Sequence, residues 1–184
     1  VPDLVDPTQV DHSLATPLQT VISQDGLTAY TAAFGSGKIG VFSTASLEDP
    51  AFETNFDPTV ESANYISTGG GPAGLALDES NGRIHVLTRF ANSIESFDLA
   101  SKTLLQKLRL HNPEPLSLVE GRPFLYDARL TSGNGEASCS SCHIFGDMDQ
   151  LAWNLGDPDG LVTLNTQPSA IPLLPAQPTF HPMK

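Results

Sequence analysis

The sequence predicts an all-β fold, and three observations carry that expectation. Fifteen Gly and 15 Pro fall among 184 residues, only 16% of the residues are charged, and the apolar residues gather in short runs closed by Gly, Asn, Asp or Ser. Long solvated helices carry more Glu, Lys and Arg than this, whereas strands joined by tight turns need the Gly and Pro. Nine Lys+Arg against 21 Asp+Glu give a net charge of -12. Such a surface is repelled by phosphate backbones and anionic headgroups, so neither nucleic acid nor a membrane surface is an expected partner. No apolar run approaches the roughly 18 residues of a membrane span. The chain begins Val1-Pro2-Asp3 without Met, as a mature form or a piece of a longer protein would.

The strands come in order. Pro17–Ser23, Gly26–Ala33 and Lys38–Ser43 form a first set, with turn residues between them. A longer insertion follows, about Leu47 to Glu61, and contains the turn-forming pairs Asp49-Pro50 and Asp57-Pro58. Gly71–Asp78, Gly82–Thr88, Asn92–Asp98 and Leu104–Leu110 form a second set. Lys102–Leu110 also reads as an amphipathic helix, since Leu104, Leu105 and Leu108 share a helical face; its place in the repeat favours a strand. The sets lie 55 residues apart from Pro17 to Pro72 and 56 from Phe34 to Phe90. A third, shortened copy is expected from Pro115-Leu116-Ser117-Leu118-Val119 through Gly121-Arg122-Pro123-Phe124-Leu125-Tyr126.

Four strands in about forty residues is the spacing of one propeller blade. The Pro-led strand, the Asp/Gly turn and a second strand such as His85-Val86-Leu87-Thr88 resemble the YVTN type of β-propeller, over roughly residues 15 to 130. About two and a half four-stranded blades cannot close a ring. The expectation is therefore a partial β-propeller whose other blades lie upstream.

Beyond residue 130 the composition turns to Gly, Ser and Asn, and Cys139-Ser140-Ser141-Cys142-His143 follows. Cys-x-x-Cys-His is the attachment signature of c-type haem. Two thiols one turn apart add across the two vinyl groups of the porphyrin, and the adjacent imidazole is set beneath the iron as its ligand. The competing readings are a thioredoxin-like redox pair, half of a zinc site, or two unremarkable thiols, and a Cys139–Cys142 disulfide is the expected fallback where the protein is made without haem-attachment machinery. A redox pair belongs in a βαβ setting, which is absent, and zinc needs two more ligands than the scattered histidines offer. A sixth iron ligand is sought at Met183, in Phe180-His181-Pro182-Met183-Lys184, with His181 as an alternative. Met148 is too near His143 to reach the opposite haem face.

Three separated segments, Ser138–His143, Asp149–Pro158 and Phe180–Lys184, resemble the first haem segment of bacterial proteins that join a YVTN-type propeller to a cytochrome c domain similar to the di-haem cytochrome c peroxidase superfamily. Asn154 departs from the Asp common there. The resemblance implies electron transfer in a periplasmic or extracellular location, with peroxidase-like oxidoreductase chemistry where a second haem follows. This chain holds no second Cys-x-x-Cys-His, so that activity is not carried over to its residues. Only residues 139–184 are left for the haem portion, and prolines at 168, 172, 175, 178 and 182 argue against a wrapping helix, so the haem domain is expected to be incomplete.

Lesser candidates have plainer readings. Asp147, Asp149, Asp157 and Asp159 fit no calcium-loop spacing well. Gly69-Gly70-Gly71-Pro72 lacks the Lys-Ser/Thr of a phosphate loop and reads as a blade-to-blade turn. Trp153 suits either a haem edge or an interface. His85 reads as a packed or surface strand residue, and His12 and His111 as loop residues; no Ser-His-Asp motif is evident. The sequence thus divides into blades over 1–130 and a haem-attachment segment over 131–184. It predicts electron transfer through haem c held by Cys139, Cys142 and His143, with a basic redox-partner protein. The alternative is a propeller-type interaction or ligand-binding module whose haem site is unloaded.

Overall fold

The computed structural model describes residues 7–143 together with Gly146 and Asp147. The fold is mostly β, with two four-stranded antiparallel sheets in the strand orders β1-β2-β3-β4 and β5-β6-β7-β8. The first sheet contains β1 (Pro17–Ile22), β2 (Thr28–Ala33), β3 (Lys38–Ser43) and β4 (Ile66–Ser67). The second contains β5 (Pro72–Asp78), β6 (Arg83–Thr88), β7 (Ser93–Asp98) and β8 (Leu104–Arg109). Helix α1 (Pro7–His12) precedes them, and α2 (Thr44–Leu47), α3 (Phe52–Asn55) and α4 (Pro58–Glu61) fill the insertion between β3 and β4. Helices α5 (Leu116–Tyr126) and α6 (Ala128–Thr131) follow β8.

The two sheets repeat one another in detail. In each, the pairing of the first two strands slips just after the leading proline, between Pro17 and Gln19 and between Pro72 and Gly74. Proline has no N–H to give to the ladder, so a bulge at the head of the strand absorbs the mismatch. The turns repeat too. Gly26 (φ +76°) and Gly82 (φ +63°) close the first hairpin of each sheet in the left-handed region, which glycine enters without a Cβ clash. In the second hairpin Gly37 (φ +61°) corresponds to Asn92 (φ +46°), asparagine being one of the few other residues that tolerate this conformation.

One core joins the sheets. Ala32, Ile39 and Ile66 meet Leu75, Ile84, Val86 and Phe97, all buried, with Val21, Tyr30 and Val41 packed around them. The register explains the choice. Ala32 faces Ile39 across β2–β3, while Ile84 faces Phe97 and Leu75 faces Val86 in the second sheet, so alternate residues of each strand enter one layer. Gln19 spans the layers, its side-chain oxygen accepting the Leu75 N–H at 2.7 Å.

Buried charges tie the edges in. Lys38 is buried and donates to the carbonyls of Val10 and Asp11 at 3.0 and 2.7 Å, holding α1 against the first sheet. Glu95 is 2% exposed; it accepts from Lys107 Nζ at 2.7 Å and from the Gly69 N–H at 2.8 Å. The Gly69–Gly71 run is accordingly the connection between the two sheets, with Gly70 and Gly71 pressed against the Phe90 ring.

The insertion folds through local rules. Asp57 caps α4, accepting from the Thr59 N–H, and Pro58 stands at the first helical position where its missing N–H costs nothing. Phe42, Phe52, Phe56 and Tyr65 then form a ring cluster at centroid distances of 4.6–6.0 Å.

Two expectations need correction. The third, half-blade copy does not form strands: Leu116–Tyr126 is the helix α5, so two sheets stand where two and a half were expected. Leu116-Ser117-Leu118-Val119-Glu120 holds helix-compatible residues without a turn residue, and the N–H groups of Leu118 and Val119 bond back to the Pro115 carbonyl. The fold is also mostly β rather than all-β, because the insertion and the segment after β8 are helical. Lys102–Leu110 does hold a strand; β8 is the outer edge of its sheet, with every residue exposed. Among the described residues no helix is long and apolar enough to cross a membrane.

Candidate functional site at the cysteine motif

The motif segment reaches its position through a series of polar latches. The Asp127 carboxylate caps α6 by accepting the Arg129 N–H, and also takes the Arg129 side chain through Nε at 2.9 Å and Nη2 at 2.6 Å. The same carboxylate holds the Arg129 guanidinium even further above its ordinary pKa than burial lowers it. The guanidinium lies over Gly37, where an added Cβ would stand only 2.8 Å from it. Ser13 Oγ donates to the Asn134 carbonyl at 2.6 Å. These contacts fasten residues 127–135 to the first sheet and to the end of α1.

The chain then turns into a short 3-10 helix at Cys139–Ser141. Ser138, buried, opens it with a capping box shared with Ser141, so the N–H of Ser138 reaches Ser141 Oγ at 3.1 Å and the N–H of Ser141 reaches back to Ser138. The N–H groups of Cys142 and His143 both bond to the Cys139 carbonyl, at 3.3 and 2.9 Å. Cys139, Cys142 and His143 are therefore brought onto a single turn, as the first, fourth and fifth of its five residues. Both cysteines are half-buried and unbridged. The His143 ring is exposed and its Nδ1 lies 3.1 Å from the Asp147 carbonyl. A carbonyl only accepts, so Nδ1 carries the proton and the Nε2 lone pair is left for a ligand.

A cleft of about 480 Å³ opens beside this turn. Its lining includes Ser140 from between the two cysteines, Phe34 from the loop after β2, Arg89 from the loop after β6, Glu114, and Arg122 and Tyr126 from α5. Phe34 stacks edge-to-face on Phe90 and on Tyr126, with centroids 5.4 and 5.6 Å away. Sequence reading passed over these cleft residues because they are scattered from 34 to 140. The one sequence signal for them is the equivalence of Phe34 and Phe90, which marks the same loop in both sheets.

Met183, His181, Met148, Trp153, Asp149, Asp157 and Asp159 lie outside the described residues. Among the described residues no group of three or more His, Cys, Asp and Glu is gathered for a metal ion. His12 contacts Ser62 Oγ through Nδ1, and His111 is exposed. The sheet does bring Ser96, His85 and Asp78 together without a sequence motif: His85 Nδ1 lies 2.8 Å from Ser96 Oγ, but the Asp78 carboxylate is 4.0 Å from Nε2 and accepts from Ser80 and Asn81 instead. That separation is beyond hydrogen-bond reach, and the trio is a surface packing arrangement. Compared with protein-family models and with curated proteins, the chain matches none.

Proposed function

We propose that the protein is an electron-transfer protein carrying one covalently attached c-type haem, with Cys139 and Cys142 as thioether anchors and His143 as the proximal ligand. The observation that carries the reading is the Cys139–His143 turn itself: two free thiols and an imidazole on one turn, with Nδ1 bonded to the Asp147 carbonyl and Nε2 left for the iron. This donor set fits the group. A backbone carbonyl on the far ring nitrogen fixes the tautomer and raises the basicity of the ligating one. When bound, the haem supplies a one-electron couple at its iron. The chain's own residues do the rest: the Ser138–Ser141 capping box holds the thiols at their spacing, and the Asp127–Arg129 latch fixes the segment to the sheets.

The wider reading follows. The matched bulges and the 55-residue offset between the sheets support successive blades of a YVTN-type propeller. A propeller joined to a cytochrome domain like those of the di-haem peroxidase superfamily belongs in a periplasmic or extracellular setting. Met183 remains the proposed sixth ligand. The -12 charge suits a basic redox partner, which such a surface steers into encounter. The cleft with its arginines and aromatic rings favours, as a second reading, a ligand-binding module whose haem site is unloaded.

Expression beside haem-attachment machinery separates the two. The first reading expects visible absorbance that stays with the polypeptide through denaturation and is lost when both Cys139 and Cys142 are changed to Ala. Colourless protein from that host contradicts it.

A further inference from the structure

The cleft beside the motif concentrates positive charge in a chain that has little of it. The Arg122 side chain is 14% exposed; its Nη1 donates to the Arg89 carbonyl at 3.0 Å and its Nη2 to the Glu114 carboxylate. The fork is thus fixed at one end by backbone and already grips a carboxylate at the other. Glu114 is the more exposed partner, 41% open, on the short connection between β8 and α5. Among the described residues the Arg89 guanidinium, on the same cleft, takes part in no ion pair. The same cleft is lined by the rings of Phe34 and Tyr126, by Thr16 and Leu18, and by Ser140, the residue between the two cysteines.

This combination selects a ligand class. A small inorganic anion would leave the aromatic rings unused, and a neutral apolar ligand would cover the Arg89 guanidinium, which has no ion pair among the described residues, against nothing that compensates it. A flat, apolar ring system bearing carboxylates satisfies both, because planar guanidinium forks take carboxylates in charge-assisted pairs and aromatic rings stack on a flat face. The volume is within the usual range of small-molecule sites.

We propose that the cleft binds the carboxylate edge of a porphyrin, with Arg122 and Arg89 pairing the propionates and Glu114 acting as an internal carboxylate that the ligand displaces from Arg122. The inference deepens the haem reading and rests on it, adding residues that the attachment motif does not contain. No covalent bond changes in this step; one carboxylate replaces another on the Arg122 fork. The internal Glu114 pair also keeps Arg122 of the free protein from standing as a largely buried, unpaired charge.

The test uses the full chain with Cys139→Ser and Cys142→Ser, so that nothing is tethered, and metal-free protoporphyrin IX, so that His143 ligation contributes nothing. Binding is read from porphyrin fluorescence for the free acid and for its dimethyl ester. The acid is expected to bind at least about tenfold more tightly than the ester, the scale of one lost charge-assisted hydrogen bond. Arg122→Gln is expected to erase most of that preference. Glu114→Gln, which removes the internal competitor, is expected to tighten binding of the acid, a gain that a misfolded variant cannot give. Equal binding of acid and ester, or an unchanged preference in Arg122→Gln, overturns the proposal. Failure of the haem reading looks different: it is an unmutated chain that acquires no covalent haem, whatever the acid-to-ester ratio.

Discussion

Changing Asp127 tests how the fold holds the motif segment in place. Its carboxylate has two separable roles, capping α6 through the Arg129 N–H and pairing the Arg129 guanidinium through both oxygens, and its side chain is only 5% exposed. Asp127→Asn keeps a cap of equal quality but loses the charge pair. Arg129 is 36% exposed and can turn to water, so that loss is discounted to about 1 kcal/mol. Asp127→Ala removes the cap as well, about 1 kcal/mol more, and leaves the Arg129 N–H without its acceptor, for a total of about 2–3 kcal/mol. Urea unfolding followed by circular dichroism measures both, with an unchanged slope showing that stability alone has moved. Because the same guanidinium closes over Gly37, Gly37→Ala and Asp127→Ala are expected to be less than additive. Asn as damaging as Ala, or Ala within about 0.5 kcal/mol of the parent, would refute this division of roles.

The remaining predictions concern the sheets. Glu95→Ala leaves Lys107 and the Gly69 N–H without their buried acceptor and is expected to cost about 3 kcal/mol, the low end for a broken buried pair because Lys107 is one-third exposed; thermal unfolding within about 0.5 kcal/mol of the parent would contradict it. Five turn carboxylates, Asp25, Asp49, Asp57, Asp78 and Asp98, are held below their ordinary value of 3.8, chiefly by hydrogen bonds from Ser23, Ala51, Thr59, Asn81 and Ser101 respectively. A pKa lower in the folded than in the unfolded chain gives stability that is complete above the unfolded value and lost as pH falls through the folded ones. The urea midpoint is therefore expected to fall below about pH 4, and a midpoint flat from there into stronger acid would count against these turns.

The strands were legible in sequence because each apolar run is closed by a turn residue with a local reason to be there. Gly26 and Gly82 must take a positive φ, Asp78 gathers Ser80 and Asn81, and Pro17 and Pro72 head their strands. Strand β4 was not legible, since Ile66-Ser67 is too short to show alternation and owes its pairing to Lys38 and Ile39 across the sheet. Helix α5 was misread as strands because its Pro115-Leu116 start imitates Pro17-Leu18 and Pro72-Ala73; with β8 already at the edge and a backbone free to bond locally, the same opening folds as a helix. The closeness of Cys139, Cys142 and His143 could be read from the motif, since five consecutive residues close into one turn through the Cys139 carbonyl. The arginine cleft could not, because Phe34, Arg89 and Arg122 meet only after the two sheets and α5 have assembled.

The central claim is that this turn holds a haem by two thioether bonds. The most direct measurement is the intact mass, with a thiol count, of the unmutated chain made beside haem-attachment machinery. The account predicts a gain of exactly one haem and no titratable thiol at Cys139 or Cys142. An unmodified mass with two reactive thiols, or with a Cys139–Cys142 disulfide in their place, would contradict it.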